Sequence, residues 1–250
     1  MIHNLDILIF FISMLAAFIF SLGGVGGAII LVPILAALGI PINIAKPVGL
    51  FYNTVSLTGA SVENIRKKRL DTKSGLPLII SSFLFAILGA YLSKFIPNKT
   101  ILLLFIGFLV FSGLMFLFYK KKQQNAYKEK VSFGYLTAVG SFAGILSGLL
   151  GIGGGNVIAP LLVIAGLNPK KIAVLTAFVV PFSSFSGFVT YWAMGNVNWQ
   201  LILFASLGGL IGATLGTKFM HKNIKPETVK KILAVILLLM AIKLGMKLGG

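Results

Sequence analysis

The chain has 250 residues, 57% of them hydrophobic and only 11% charged, with a mean hydropathy of +0.99 and a formal net charge of +17. Apolar runs of about 20 residues exceed what an ordinary soluble core absorbs, so the chain reads as an integral membrane protein. The absence of cysteine excludes disulfides, thiol nucleophiles and thiolate metal sites. His3 and His221 sit near a chain end or in a loop and make no histidine-ligated metal site, so no cofactor or metal is expected.

Eight apolar segments follow in order, at about 7–38, 44–62, 75–95, 100–119, 131–166, 171–193, 199–219 and 226–247. Their apolar character is continuous rather than alternating, which predicts helices and not a barrel. Residues 1–6 carry no Lys or Arg and one acid, the wrong flank for a secretion signal, so this part belongs to the mature fold. The first segment is too long for one straight crossing and is interrupted by Gly24-Val25-Gly26-Gly27-Ala28. Its pieces, Ile7 to Leu22 and Ala28 to Gly39, would be roughly 24 Å and 18 Å long as helix, short enough to predict a re-entrant hairpin.

The second segment carries Lys46 ahead of Pro47, then Asn53, Thr54, Ser56 and Thr58, with Glu63 at its end. Lys46 has two readings, snorkelling to the interface or attracting an anion. Glu63 is expected to pair with Arg66 or Lys67 in the loop. No acid lies deep in an apolar segment, so a buried carboxylate relay is not expected. Segments three and four form a pair between the basic loop Arg66 to Lys73 and the basic linker Lys120 to Lys130.

The fifth segment repeats the first. Gly24, Gly26, Gly27, Pro33 and Gly39 recur as Gly151, Gly153, Gly154, Pro160 and Gly166, all at an offset of 127, and Pro41 and Ala45 recur as Pro169 and Ala173 at 128. A glycine cluster in a helix interior costs roughly 1 kcal/mol per residue relative to Ala, so its duplication points to a break that both halves need. The sixth segment carries Thr176, Ser183, Ser184 and Ser186. It ends in the uncharged turn Gly195 to Asn198, with Tyr191, Trp192 and Trp199 as an interfacial aromatic belt. Lys243 in the last segment is expected to snorkel or to line a packing face.

Charge orients these elements. Basic residues gather in short connections, a positive-inside pattern rather than a nucleic-acid surface. If the fifth segment is re-entrant, Lys170, Lys171, Lys218, Lys222 and Lys225 all face inward, and the Gly195 turn faces outward. The corresponding connection of the first half, with five basic residues, then lies on the opposite face. The reading is an all-α polytopic protein of two inverted repeats of four segments, residues 1–119 and 131–250, joined by a cytoplasmic linker at 120–130. Both termini fall outside, although Lys243 and Lys247 would prefer the inside.

Glycine-broken helices placed in two inverted repeats are a recurring plan for transporter binding sites. A helix start offers unpaired N–H groups and partial positive charge, which suits an anion. The expected donors are the backbone N–H groups of Gly26, Gly27, Ala28, Gly154, Gly155 and Asn156. Side chains of Asn156, Asn53, Ser56, Thr176 and Ser183 are candidates to complete the site; the alternative for each is hydrogen bonding between helices.

The doubled motif, Gly24-Val-Gly-Gly-Ala-x4-Pro33 and Gly151-Ile-Gly-Gly-Gly-Asn-x3-Pro160, resembles the TauE/SafE family of sulfite-exporter-like permeases over nearly the whole chain. Where many members carry a small polar pair, this chain has Val48-Gly49 and Thr176-Ala177. That shifts the expected contacts to the backbone donors and Asn53. The resemblance implies a prokaryotic plasma-membrane carrier of small anions, with sulfite, sulfonates or related sulfur anions as substrates. The lipid bilayer and a small anion are the expected partners, and a proton is one candidate coupling ion. An anion channel is the main alternative, since re-entrant half-helices also occur in channels. A membrane enzyme would lack the paired acids, histidines or cysteines of hydrolytic sites.

Overall fold

The computed structural model describes residues 2–20, 26–66, 72–118, 131–223 and 226–249. Gly24 and Val25 of the first glycine cluster, the basic loop at 67–71 and the linker at 119–130 lie outside the described residues, as does the side chain of Glu63.

The described residues form helices α1 (Ile2–Phe20), α2 (Ala28–Ala37), α3 (Ile42–Arg66), α4 (Thr72–Leu92), α5 (Asn98–Phe118), α6 (Phe133–Leu150), α7 (Gly155–Ile164), α8 (Pro169–Ala193), α9 (Trp199–Asn223) and α10 (Pro226–Gly249). Among these residues, α4, α5, α6, α8 and α9 are long and apolar enough to cross a membrane. α3 is as long as α8, but Lys46, Asn53 and other polar residues lower its hydropathy. Leu76, Ile80, Leu84 and Leu88 of α4 and Leu203, Leu207, Ile211 and Leu215 of α9 are exposed apolar stripes at helical spacing, as expected of faces turned to lipid.

Both glycine clusters break the chain. α2 and α7 are each ten residues, or roughly 15 Å. Gly26 and Gly153 share a left-handed backbone, with φ of 77° and 73°, and so do Gly39 and Gly166, with φ of 93° and 88°. A side chain at such a φ costs roughly 1–2 kcal/mol, which is why glycine stands at the break and again at the end of each short helix. α7 folds back along α6, so that Tyr135 near the start of α6 donates its hydroxyl to the Leu161 carbonyl near the end of α7, at 3.0 Å.

The first piece of the first broken segment is longer than expected. α1 starts at Ile2 rather than Ile7, and α6 is 18 residues, enough to span on its own. Only the piece after each break is a half-length helix. Along α6, a Cβ placed on Gly140, Gly144 or Gly148 would strike Leu78, Ser82 and Ala86 of α4 in turn, so the two helices run parallel with backbones nearly touching. α1 and α9 make the same kind of contact: Asp6 accepts from Gln200, and Gly208 and Gly212 lie against Phe10 and Met14. Small residues allow this approach, and in lipid such van der Waals contact is the main force between helices.

Two further pairs run antiparallel. α3 meets α8 through Lys46 with Tyr191, Phe51 with Phe188 and Ser61 with the Ala177 carbonyl. α5 meets α10 through Gly113 with Leu238 at one end, while Leu102 and Leu244 lie together at the other.

Candidate functional site

The centre of the molecule is where α3 passes between the two hinges. Asn53 stands near the midpoint of α3 and is fully buried. Its Oδ1 accepts from the Ala28 N–H at 3.2 Å, at the start of α2. Its Nδ2 donates to the Ile152 carbonyl at 2.8 Å, in the second glycine cluster. One side chain thus ties both hinges together, over sequence separations of 25 and 99 residues. The glycines make this approach possible. A Cβ on Gly26 would sit 2.3 Å from Asn53 Oδ1, and one on Gly153 would sit 2.3 Å from its Nδ2.

Around this clasp the structure gathers several of the candidates. Gly26, Gly27 and Ala28 line one side, and Gly154, Gly155 and Asn156 the other, all buried. Gly27 and Gly154 occupy the N-cap positions of α2 and α7 and carry no side chain to cap the first turn. Asn156 donates its Nδ2 to the same Ile152 carbonyl at 3.3 Å. Ser183 approaches Gly154, its Oγ 3.3 Å from where a Cβ would be. Ser184 lies beside Gly153, and its buried Oγ has no hydrogen-bond partner among the described residues.

Two candidates lie apart from the clasp. Ser56 bonds the Asn53 carbonyl within its own helix, and its Cβ lies 3.5 Å from a Cβ placed on Gly209 of α9. Thr176 returns its hydroxyl to Ile172 and Ala173 of its own helix. It precedes Ser183 by seven positions, roughly 10 Å along α8.

Tyr52 and Tyr191 are buried polar groups whose roles are not visible in their spacing. Tyr52 presses on Gly27 and donates to the Ser13 carbonyl of α1 at 3.1 Å. Tyr191 is not part of the aromatic belt: only 1% of it is exposed, while Trp192 and Trp199 are each more than half exposed and stack edge to face, 5.7 Å apart. The Tyr191 hydroxyl lies 2.8 Å from Ser93 Oγ and 2.9 Å from the Gly148 carbonyl, which draws the ring inward. Lys46 does not snorkel either. It is 1% exposed, with Nζ 5.1 Å from the centre of the Tyr191 ring. Lys243, by contrast, is exposed. Asp6, ahead of the first apolar segment, lies in the second turn of α1, is 2% exposed and accepts from Gln200 of α9.

Among the described residues no group of three or more histidines, cysteines or carboxylates could hold a metal ion. The arrangement instead presents two helix starts and a ring of neutral hydrogen-bonding groups at one buried point, chemistry suited to an anion.

Comparison with known proteins agrees with the doubled motif. The chain is 29% identical to the probable membrane transporter protein YunE of Bacillus subtilis, over 93% of this chain and 94% of that one. It is 24% identical to a probable membrane transporter protein of Methanocaldococcus jannaschii, over 92% and 91% of the two chains. A shorter stretch is 40% identical to sulfite exporter TauE/SafE family protein 6 of Arabidopsis thaliana, covering 32% of this chain and 19% of that one. No solved structure matches. The family described as sulfite exporter TauE/SafE matches residues 9–244, and the chain therefore belongs to this family of membrane transporters.

Proposed function

We propose that this chain is a secondary transporter of small anions, of the sulfite or sulfonate class, which binds its substrate between the two glycine hinges. The observation that carries the reading is the Asn53 clasp, which brings both hinges and the starts of α2 and α7 to one buried point. The N-terminal turn of each half-helix contributes N–H groups and partial positive charge there. The unpartnered Ser184 hydroxyl supplies a further donor. At the α2 start, the Asn53 oxygen occupies the place an anion would take, so binding displaces it and frees the clasp to rearrange.

Packing supports an inverted pair of repeats. α3 and α8 occupy equivalent positions at an offset of 127 and run antiparallel, as do α5 and α10. Equivalent helices related by an axis in the membrane plane must oppose each other. The parity of crossings agrees: if each hairpin returns to its own side, three helices remain in each half, and an odd number starts the second half on the far side. Alternating access follows as a rocking of one half against the other about the hinges. The membrane in this reading is a prokaryotic plasma membrane, and a proton is the candidate coupling ion.

The test is uptake of labelled sulfite, sulfate and a short sulfonate into liposomes, with and without a pH gradient. Saturable uptake with counterflow is expected; ohmic current without counterflow would assign a channel instead. Gly154→Leu, which places a bulky side chain against Ser183, is expected to abolish uptake in correctly inserted protein. Wild-type uptake by that variant would overturn the hinge site.

A further inference from the structure

A cavity of about 340 Å³ opens at one end of the bundle, where α3 and α5 begin and α4 and α8 end. Its lining includes Asn43, Lys46, Lys94, Asn98, Tyr191 and Asn196. Among the described residues no carboxylate lines it. Lys46 is the unusual member, a lysine 1% exposed in an apolar helix. Among the described residues its ammonium has the face of Tyr191 and no carboxylate or hydrogen-bond acceptor. A buried charge without a counter-charge is costly, and a ring face offsets only part of that cost. Lys94, exposed at the rim, adds a second positive charge. The field in the cavity is therefore positive and focused by low-dielectric walls, which concentrates anions.

We infer that this cavity is a second anion site, an entry vestibule in which Lys46 and Lys94 hold a small oxyanion before it reaches the hinges. The inference rests on the anion-carrier reading for the identity of the ligand, but the site is separate from the hinge. The repeat itself argues for a dedicated feature: at the offset of 128 that matches Ala45 to Ala173, the counterpart of Lys46 is Val174. The buried lysine thus has no counterpart at that position in the second half. The vestibule also abuts the second hinge, since a Cβ on Gly151 would meet Lys46 Cα at 2.5 Å. Asn53 lies seven residues further along α3, roughly 10 Å deeper. Capture at Lys46 followed by transfer to Asn53 is a single short step along one helix.

The two tryptophans report on this site directly. Trp192 and Trp199 flank the turn whose Met194 and Asn196 line the cavity. Sulfite, and separately ethanesulfonate, is titrated into purified protein while tryptophan emission is followed. The wild type is expected to give a saturable change. Lys46→Met is expected to raise the midpoint about tenfold or more, and Lys46→Arg to keep it near the wild-type value. Lys94→Gln, at an exposed position that folding tolerates, is expected to raise it about threefold, in the range of a rim charge. A wild-type titration without saturation overturns the vestibule, as do midpoints unchanged in Lys94→Gln or in Lys46→Met. Gly154→Leu separates the two sites: its titration should match the wild type while its uptake is lost. Saturable binding by a wild-type protein that transports no anion would refute the carrier reading and leave the vestibule standing.

Discussion

Asn53→Ala is the sharpest perturbation of the proposed site, because it removes both hydrogen bonds of the clasp at once. The two losses are unequal. The Ile152 carbonyl keeps the Asn156 amide at 3.3 Å and so retains a donor. The Ala28 N–H loses its acceptor in a buried position. A buried donor left unsatisfied costs about 1–3 kcal/mol, and a net hydrogen bond about 1 kcal/mol, so the expected loss is about 2–4 kcal/mol. At neutral pH Asn53→Asp keeps an acceptor for Ala28 but turns a buried carboxylate on the Ile152 carbonyl, so its stability should rise as the pH falls and the carboxyl gains a proton that can again reach Ile152. Equilibrium unfolding of purified protein in mixed micelles measures both. Thr54→Ala is the control, since its hydroxyl bonds only to the Leu50 carbonyl of its own helix, and it should cost less than about 0.5 kcal/mol. An Asn53→Ala loss no larger than that of Thr54→Ala would refute the clasp. Because the clasp joins the two hinges, Asn53→Ala is also expected to slow uptake of any transported anion several-fold.

Backbone strain and crowding can be told apart at two glycines of nearly equal φ. Gly195→Ala, at φ 74° with nothing within 4 Å, should cost about 1–2 kcal/mol, whereas Gly151→Ala, at φ 76° and 2.5 Å from Lys46 Cα, should cost distinctly more in the same unfolding assay. Gly212→Leu would drive a side chain into the Met14 carbonyl at 2.0 Å and is expected to collapse the yield of monodisperse protein; Gly107→Leu, with open space around it, should not. Tyr191→Phe removes the hydroxyl shared between Ser93 and Gly148 but keeps the ring over Lys46. It should cost about 1 kcal/mol of stability in the same unfolding assay.

Much of the architecture is legible along the chain because it is local. Apolar runs of span length dictate helices, since lipid offers the backbone no other partner. The glycine clusters announce the breaks, and the left-handed φ shared by Gly26 with Gly153 and by Gly39 with Gly166 gives the offset of 127 a backbone meaning. The family, too, is carried by that doubled motif. Partnership between helices is another matter. In lipid every apolar face is equally at home, so hydropathy has no direction to give. That α6 lies on α4, and α1 on α9, depends on which stripes of small residues meet. The roles of polar residues were decided in the same way. Asn53 reads as one amide among several until folding sets its two ends against two hinges. Tyr191 reads as interfacial, and Lys46 as either snorkelling or attracting an anion, until packing of α8 on α3 draws the tyrosine inward and seats the ammonium on its ring. Helix and hinge are properties of neighbours in sequence. The clasp and the charged cavity arise only where residues about 100 to 150 apart come into contact, and tertiary packing alone brings them there.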